Sequence, residues 1–222
     1  MLLKLMLYKK LLPSFLINFV KNNYFFWKYR HFINKNIWEG YLEDFNSKRR
    51  DVYFKVIKDN NYISVFEFGC ASGPNIKNIL LKNPNLLALG FDINKDAISL
   101  AKKEFKNFKA NFTTKCNEKI ILENLNNHNI KCFDLGIYDR VLYLLNEDDV
   151  ESHFKMMNKY LRSVIIDDFF SENTEISESN YKTKNFIKIL QSCNYKLIKL
   201  EDSKHEKRNN FFKKNAKILF FE

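Results

Sequence analysis

The chain is poor in the residues that punctuate flexible or cross-linked proteins: its 222 residues hold 5 glycines, 3 prolines and 4 cysteines. Cys70, Cys116, Cys132 and Cys193 stand far apart with no Cys-x-x-Cys pair. That excludes a disulfide framework and a zinc knuckle, and makes a reducing compartment the default. The 4 histidines, His31, His128, His153 and His205, are equally scattered, none paired at the helical spacing of a metal site, so no metal is expected. Long apolar runs are missing too. The longest, Leu11 to Val20, is interrupted by Pro13, Ser14 and Asn18 and is too short to span a bilayer. No small-residue cleavage site follows it, so it does not fit a secretory signal. The expectation is a cytoplasmic protein without internal repeats or Gly/Ser linkers.

What the chain does have is aromatic mass and positive charge. With 22 Phe, 11 Tyr and 45% hydrophobic residues it can fill the core of one domain, and this composition excludes a disordered or fibrous chain. Lys and Arg total 37 against 26 acids, a formal charge of +11. Residues 1–50 hold ten Lys/Arg and three acids, so most of the excess sits there. Within it, Lys21 to His31 interleaves Tyr24, Phe25, Phe26, Trp27 and Tyr29 with Lys28 and Arg30. Residues 1–36 can therefore lie on an anionic membrane surface, which would place the protein peripherally at the inner membrane face. They can contact RNA through charge and stacking, or fold as a helical lid over a ligand.

Helical spacing recurs at Trp38, Tyr41, Leu42 and Phe45, and again from Asp51 to Asn60. From residue 62 the pattern alternates strand and helix: strands at 62–68, 86–92, 110–114, 131–137 and 163–168, with helices from Pro74, after Asn94, around 120–125 and after Asn146. Residues 169–180 read as a polar loop, 181–193 as a helix, and 195–201 and 216–221 as two closing strands joined by a charged loop. Such alternation implies an α/β fold with a parallel sheet. The last pair, joined without a helix, is expected to be antiparallel. The boundary falls at residue 60, with residues 1–60 an N-terminal helical extension and 61–222 the main domain.

In an open α/β sheet the ligand lies beyond the carboxyl ends of the central strands. Glu67-Phe68-Gly69-Cys70-Ala71-Ser72-Gly73 occupies that place. A dinucleotide reader needs G-x-G-x-x-G, and here the second and third positions are Ala71 and Pro74, a poor fit. Asp92 closes the second strand, where a carboxylate faces the same crevice and can accept from both ribose hydroxyls of an adenosine.

The spacing instead resembles E/D-x-G-x-G-x-G, the glycine-rich turn of class I S-adenosylmethionine-dependent methyltransferases, with Ala71 in place of the middle glycine. Asp92 and the run Phe133 to Leu142 resemble that family's second and fourth strand ends, so the likeness covers residues 60–222. It implies a Rossmann-like three-layer sandwich on a seven-stranded, mainly parallel sheet, with S-adenosylmethionine as cofactor. It further implies that Glu67, Gly69, Cys70, Ala71, Gly73, Asp92, Ile93, Tyr138 and Asp139 line the cofactor site. Glu67 then lies near the amino group, Asp92 on the ribose, and Tyr138 and Asp139 beside the reactive methyl. The adenine position falls near 115–117 without a clear match.

If the acceptor is a hydroxyl, a base helps remove its proton. Asp139 and Asp168 are the candidates, ahead of His31 and His153. The Asn/Asp-Pro-Pro-Tyr/Phe tetrapeptide that serves nucleobase amino groups is missing, Tyr138-Asp139-Arg140-Val141 standing instead. The acceptor is expected to be a hydroxyl of a small molecule or sugar, an envelope glycan precursor among them. RNA methylation and a non-catalytic S-adenosylmethionine-binding module are the alternatives.

Overall fold

The computed structural model describes residue 27 and residues 36–177, 181–204 and 209–222. The membrane, RNA and lid readings of residues 1–36, and the candidate base His31, lie outside the described residues apart from Trp27 and Asn36. Among the described elements two helices come first, α1 (Ile37–Glu43) and α2 (Asp51–Asp59). Seven strands follow: β1 (Ser64–Phe68), β2 (Leu87–Phe91), β3 (Ala110–Thr113), β4 (Phe133–Asp139), β5 (Leu161–Phe169), β6 (Leu197–Asp202) and β7 (Ala216–Phe221). They form one sheet in the order β3-β2-β1-β4-β5-β7-β6. The first five are parallel, and β7 runs antiparallel to both β5 and β6.

Six further helices join the strands: α3 (Pro74–Lys82), α4 (Lys95–Glu104), α5 (Glu118–Asn127), α6 (Glu147–Met157), α7 (Phe186–Gln191) and α8 (Asn210–Asn215). Their starts follow the sequence closely. Pro74 occupies the first turn of α3, where its missing N–H is no loss. The side chains of Asn94, Asn117 and Asn146 accept backbone N–H bonds at the heads of α4, α5 and α6.

Two apolar clusters sandwich the sheet. On one face Ile76, Ile79 and Leu80 of α3, Ile98 and Ala101 of α4, and Phe105 just after it pack on Val65 and Ile137. Leu42, Val52, Tyr53 and Ile57 of α1 and α2 belong to this same cluster. On the other face Ile121, Val150, Phe154, Met157, Phe186 and Leu190 cover Phe66, Leu89 and Tyr138. Each fully buried aliphatic or aromatic side chain contributes about 1.5–3 kcal/mol. Among the described residues no helix is long and apolar enough to cross a membrane.

Two local expectations need correction. The helix expected over 181–193 is confined to α7, because the preceding residues are extended: Lys184 bridges Phe170, Lys182 bridges Ile176, and Thr183 Oγ1 accepts the Glu175 N–H at 2.7 Å. Asn185 then caps the shortened helix, accepting from Lys188 N. The charged loop between the last two strands contains α8, held by the Phe211 and Phe212 rings, 5.2 and 4.8 Å from that of Phe169.

Candidate active site

The carboxyl end of β1 is tied to β2 before the chain turns. The amides of Gly69 and Cys70 both donate to the Phe91 carbonyl, at 2.8 and 2.9 Å, and Gly73 N closes the turn on Cys70 O at 2.8 Å. Gly69, Ala71 and Gly73 have φ of +76°, +50° and +87°. At Gly69 a Cβ atom would stand 2.6 Å from Val141 Cγ2, so both conformation and space require glycine there. Ala71 accepts a left-handed conformation that costs an L-residue about 1–2 kcal/mol.

Asp92 offsets that strain. Its Oδ2 accepts the Ala71 amide at 2.9 Å and its Oδ1 the Asn94 amide at 2.8 Å, so one carboxylate fixes the turn after β1 and the turn after β2. Burial pushes its pKa up to about 6 against the pull of those two amides. A carboxylate offers about four lone-pair sites, and two amides leave capacity for hydroxyl donors. Asn94, beside it, donates from Nδ2 to the Trp27 carbonyl at 3.0 Å.

Glu67 lies one strand over, level with Gly90 on β2 and Ile137 on β4, and is 1% exposed. Its Oε1 accepts from Asn75 Nδ2 at 2.7 Å, while Oε2 is buried with no hydrogen-bond partner. Burial raises its pKa to about 8; the Asn75 bond opposes this and the nearby charge of Asp139 adds to it.

Sequence reasoning missed the side chains around this acid. Arg49 Nη1 donates to Asp139 Oδ2 at 2.9 Å, and Asn75 Nδ2 reaches the same oxygen at 3.1 Å. Arg50, 2% exposed, donates to Asn75 Oδ1 and to Asp44 Oδ2, the latter at 2.7 Å, and its Nη1 lies 3.7 Å from Asp139. Tyr53 on α2 is fully buried with an unpartnered hydroxyl; burial and the charges of Asp139, Asp167 and Glu67 raise its pKa, and Arg49 opposes. The visible signal was Lys48-Arg49-Arg50 immediately before an amphipathic helix, which reads as ordinary surface charge because arginine is almost never fully buried unless paired.

Other expected residues fall differently. The Asp168 carboxylate is engaged inside the fold: it is 0% exposed, its Oδ2 accepts the Leu142 and Tyr143 amides at 2.8 and 3.2 Å, and its Oδ1 accepts the Phe169 amide. It holds the loop after β4 in place. The Tyr138 side chain turns away from the crevice and is buried against α6, its hydroxyl 2.9 Å from His153 Nε2. Burial takes His153 down to about 4, so it is neutral at physiological pH. The Cys70 thiol points into the core and burial pushes its pKa well up, leaving only its backbone at the turn. Ile93 is half-buried against the cluster that contains Phe91.

Beyond β5 lies an aromatic group. The rings of Tyr143, Tyr181 and Phe212 stand 5.6, 5.4 and 4.8 Å from that of Phe169, with the Arg140 guanidinium 4.4 Å over its face. Tyr143, Tyr181 and Phe212 are half-buried.

The sequence matches no protein-family model and no curated protein. Solved structures do match. The methyltransferase domain of bacterial CtHen1 is 15% identical over 80% of this chain and 97% of its own, with a TM-score of 0.58. A SAM-dependent methyltransferase from Leishmania major is 13% identical over 83% of this chain and 82% of its own, at 0.56. The N-methyltransferase NodS from Bradyrhizobium japonicum is 14% identical over 80% and 95%, at 0.55. The fold is that of the class I methyltransferases. On that fold the expected seven-stranded, mainly parallel Rossmann-like sheet is found, with β7 as the antiparallel insertion.

The donor set of the crevice fits S-adenosylmethionine. The buried Glu67 Oε2 offers an acceptor for an ammonium group, and Asp92 retains capacity for a ribose diol. The turn between them holds Gly69, Ala71 and Gly73 in the left-handed region.

Proposed function

We propose that the chain is an S-adenosylmethionine-dependent methyltransferase acting on a hydroxyl of a small molecule or sugar, such as an envelope glycan precursor. The observation that carries the reading is the unpartnered Glu67 Oε2, a buried acceptor atom beside a glycine-rich turn. An unmade hydrogen bond there costs about 1–3 kcal/mol, which a bound ammonium group recovers. When bound, the cofactor supplies a methyl group activated on a sulfonium and open to in-line displacement. The protein's part is alignment. Asp92 holds the ribose, Glu67 the amino group, and the backbone of Gly69 to Gly73 the length between them.

Asp139, oriented by Arg49 and Asn75, takes the acceptor's proton. A hydroxylated ring fits the half-buried faces of Tyr143, Tyr181 and Phe212, since pockets for small molecules are lined by aromatics with a few placed polar groups. The basic-aromatic residues 1–36 supply peripheral contact with an anionic membrane in this reading, with RNA as the alternative partner.

Calorimetry tests the cofactor. Binding of S-adenosylmethionine is expected, weakened by about 1–3 kcal/mol in Asp92→Ala through loss of a charge-assisted bond. No binding by the wild type overturns the reading. Labelled donor incubated with fractionated cell extract then identifies the acceptor class. Label in glycan or small molecules supports the hydroxyl acceptor, and label in RNA replaces it.

A further inference from the structure

Buried polar side-chain atoms without partners are few in native proteins, and each calls for a ligand, a water or a strain account. Three in this structure come from neighbouring parts of the fold: Trp38 Nε1 on α1, Tyr53 OH on α2 and Glu67 Oε2 at the end of β1. Trp38 is 4% exposed, and its carbonyl accepts from Ser72 Oγ at 2.7 Å, which seats it on the glycine-rich turn. The Tyr53 hydroxyl is in electrostatic reach of Glu67, Asp139, Asp167 and Arg49. The three atoms differ in chemistry. An indole N–H only donates, an ionised carboxylate only accepts, and a phenol does both. A donor, an acceptor and an ambivalent group, contributed by α1, the end of β1 and α2, have the chemistry to complement a zwitterion that carries both a carboxylate and an ammonium.

We propose that Tyr53 and Trp38 complete the cofactor site from the N-terminal side, forming with Glu67 a receptor for the amino-acid end of the methyl donor. The inference rests on the methyltransferase reading. It makes α1 and α2 a wall of the binding site, with Glu67 taking the ammonium, the Trp38 indole the carboxylate, and the Tyr53 hydroxyl either of them. Arg49 and Arg50, already bonded to Asp139 and Asn75, add the positive charge that keeps a carboxylate in this acidic surround.

Two ligands separate this role from a structural one: S-adenosylhomocysteine, which carries the amino-acid end, and 5′-methylthioadenosine, which lacks it. Tyr53→Phe is expected to bind the first about 10- to 150-fold more weakly, for one lost bond to a charged group, and the second as the wild type does. Its melting temperature without ligand is expected to equal or exceed the wild type's, because an unpaired buried hydroxyl has been removed. Trp38→Phe, which keeps an aromatic ring and loses the N–H, is expected to show the same split. Equal losses for both ligands, or no loss for either, overturn the assignment while leaving the methyltransferase reading in place. A wild type that binds neither ligand removes both.

Discussion

Glu67→Gln separates the charge of the crevice acid from its shape. In the ligand-free protein burial holds Glu67 near a pKa of about 8 and Asp92 near about 6. An ammonium on Glu67 Oε2 needs the carboxylate ionised, so the competent fraction is about one in a hundred at pH 6, one in eleven at pH 7 and one half at pH 8. Asp92 halves it again at pH 6. The apparent dissociation constant of S-adenosylmethionine should therefore fall about 50-fold between pH 6 and pH 8, the gain of about 100-fold from the two acids being halved by partial loss of the ligand's ammonium. The ligand's own α-amino group, with a pKa near about 8, sets the alkaline limit. Calorimetry in buffers of different ionisation heat should count close to one proton released per binding event at pH 7. The glutamine variant should bind more weakly at pH 8, release almost none, and keep only the roughly twofold dependence left by Asp92.

Stability provides a second readout of opposite sign. The folded pKa of Glu67 lies above the ordinary 4.5, so the unfolded chain gives up this proton first. This group's contribution then falls as pH rises from about 4.5 to about 8, by up to a few kcal/mol. In Glu67→Gln that decline should vanish from denaturant titrations. Wild-type affinity that is flat from pH 6 to pH 8, with no proton release, would refute the reasoning.

Three other substitutions probe the framework. Gly69→Ala should cost at least about 2 kcal/mol in chemical denaturation, since its Cβ meets Val141 at 2.6 Å in a left-handed backbone. A smaller loss would show that the loop after β4 yields easily. Ala71→Gly should leave stability unchanged or raise it by up to about 1 kcal/mol, with cofactor affinity retained. Asp168→Asn should lower the melting temperature, because an amide cannot accept as a carboxylate does from the Leu142, Tyr143 and Phe169 N–H groups. An unchanged melting temperature with a collapsed turnover rate would instead support Asp168 as the base.

The sheet and the glycine-rich turn were legible because both depend on short-range patterns. The run of Val65, Phe66 and Phe68 around Glu67 marks a buried strand, the glycines mark the left-handed turn, and Asn94 and Asn146 mark helix starts. Asp92 was legible as a crevice acid but not as the group that holds Ala71, since that bond joins residues 21 apart. Arg49, Arg50 and Tyr53 escaped because their partners arrive from β1, α3 and β4, and burial of a charge is decided by partners distant in sequence. The side-chain directions of Tyr138 and Asp168 were hidden for a related reason. At a strand end, side-chain direction alternates residue by residue, and the sequence locates the end only to within a residue or two. The segment 181–185 shows the limit from the other side, its helical spacing overridden by pairing with Phe170 and Ile176.

The position of β7 bears on how the molecule assembles. Because β7 separates β5 from β6, these two strands have no direct ladder, and β6 stays unattached during synthesis until the residues that follow it emerge. Leu219 and Phe221 reach 0% exposure only when that insertion is complete, so the half-built chain presents two open β-edges and a bare apolar strip. A nascent polypeptide in that state is open to aggregation, and its yield in cells should respond more to synthesis rate and temperature than the folded protein's resistance to denaturant suggests.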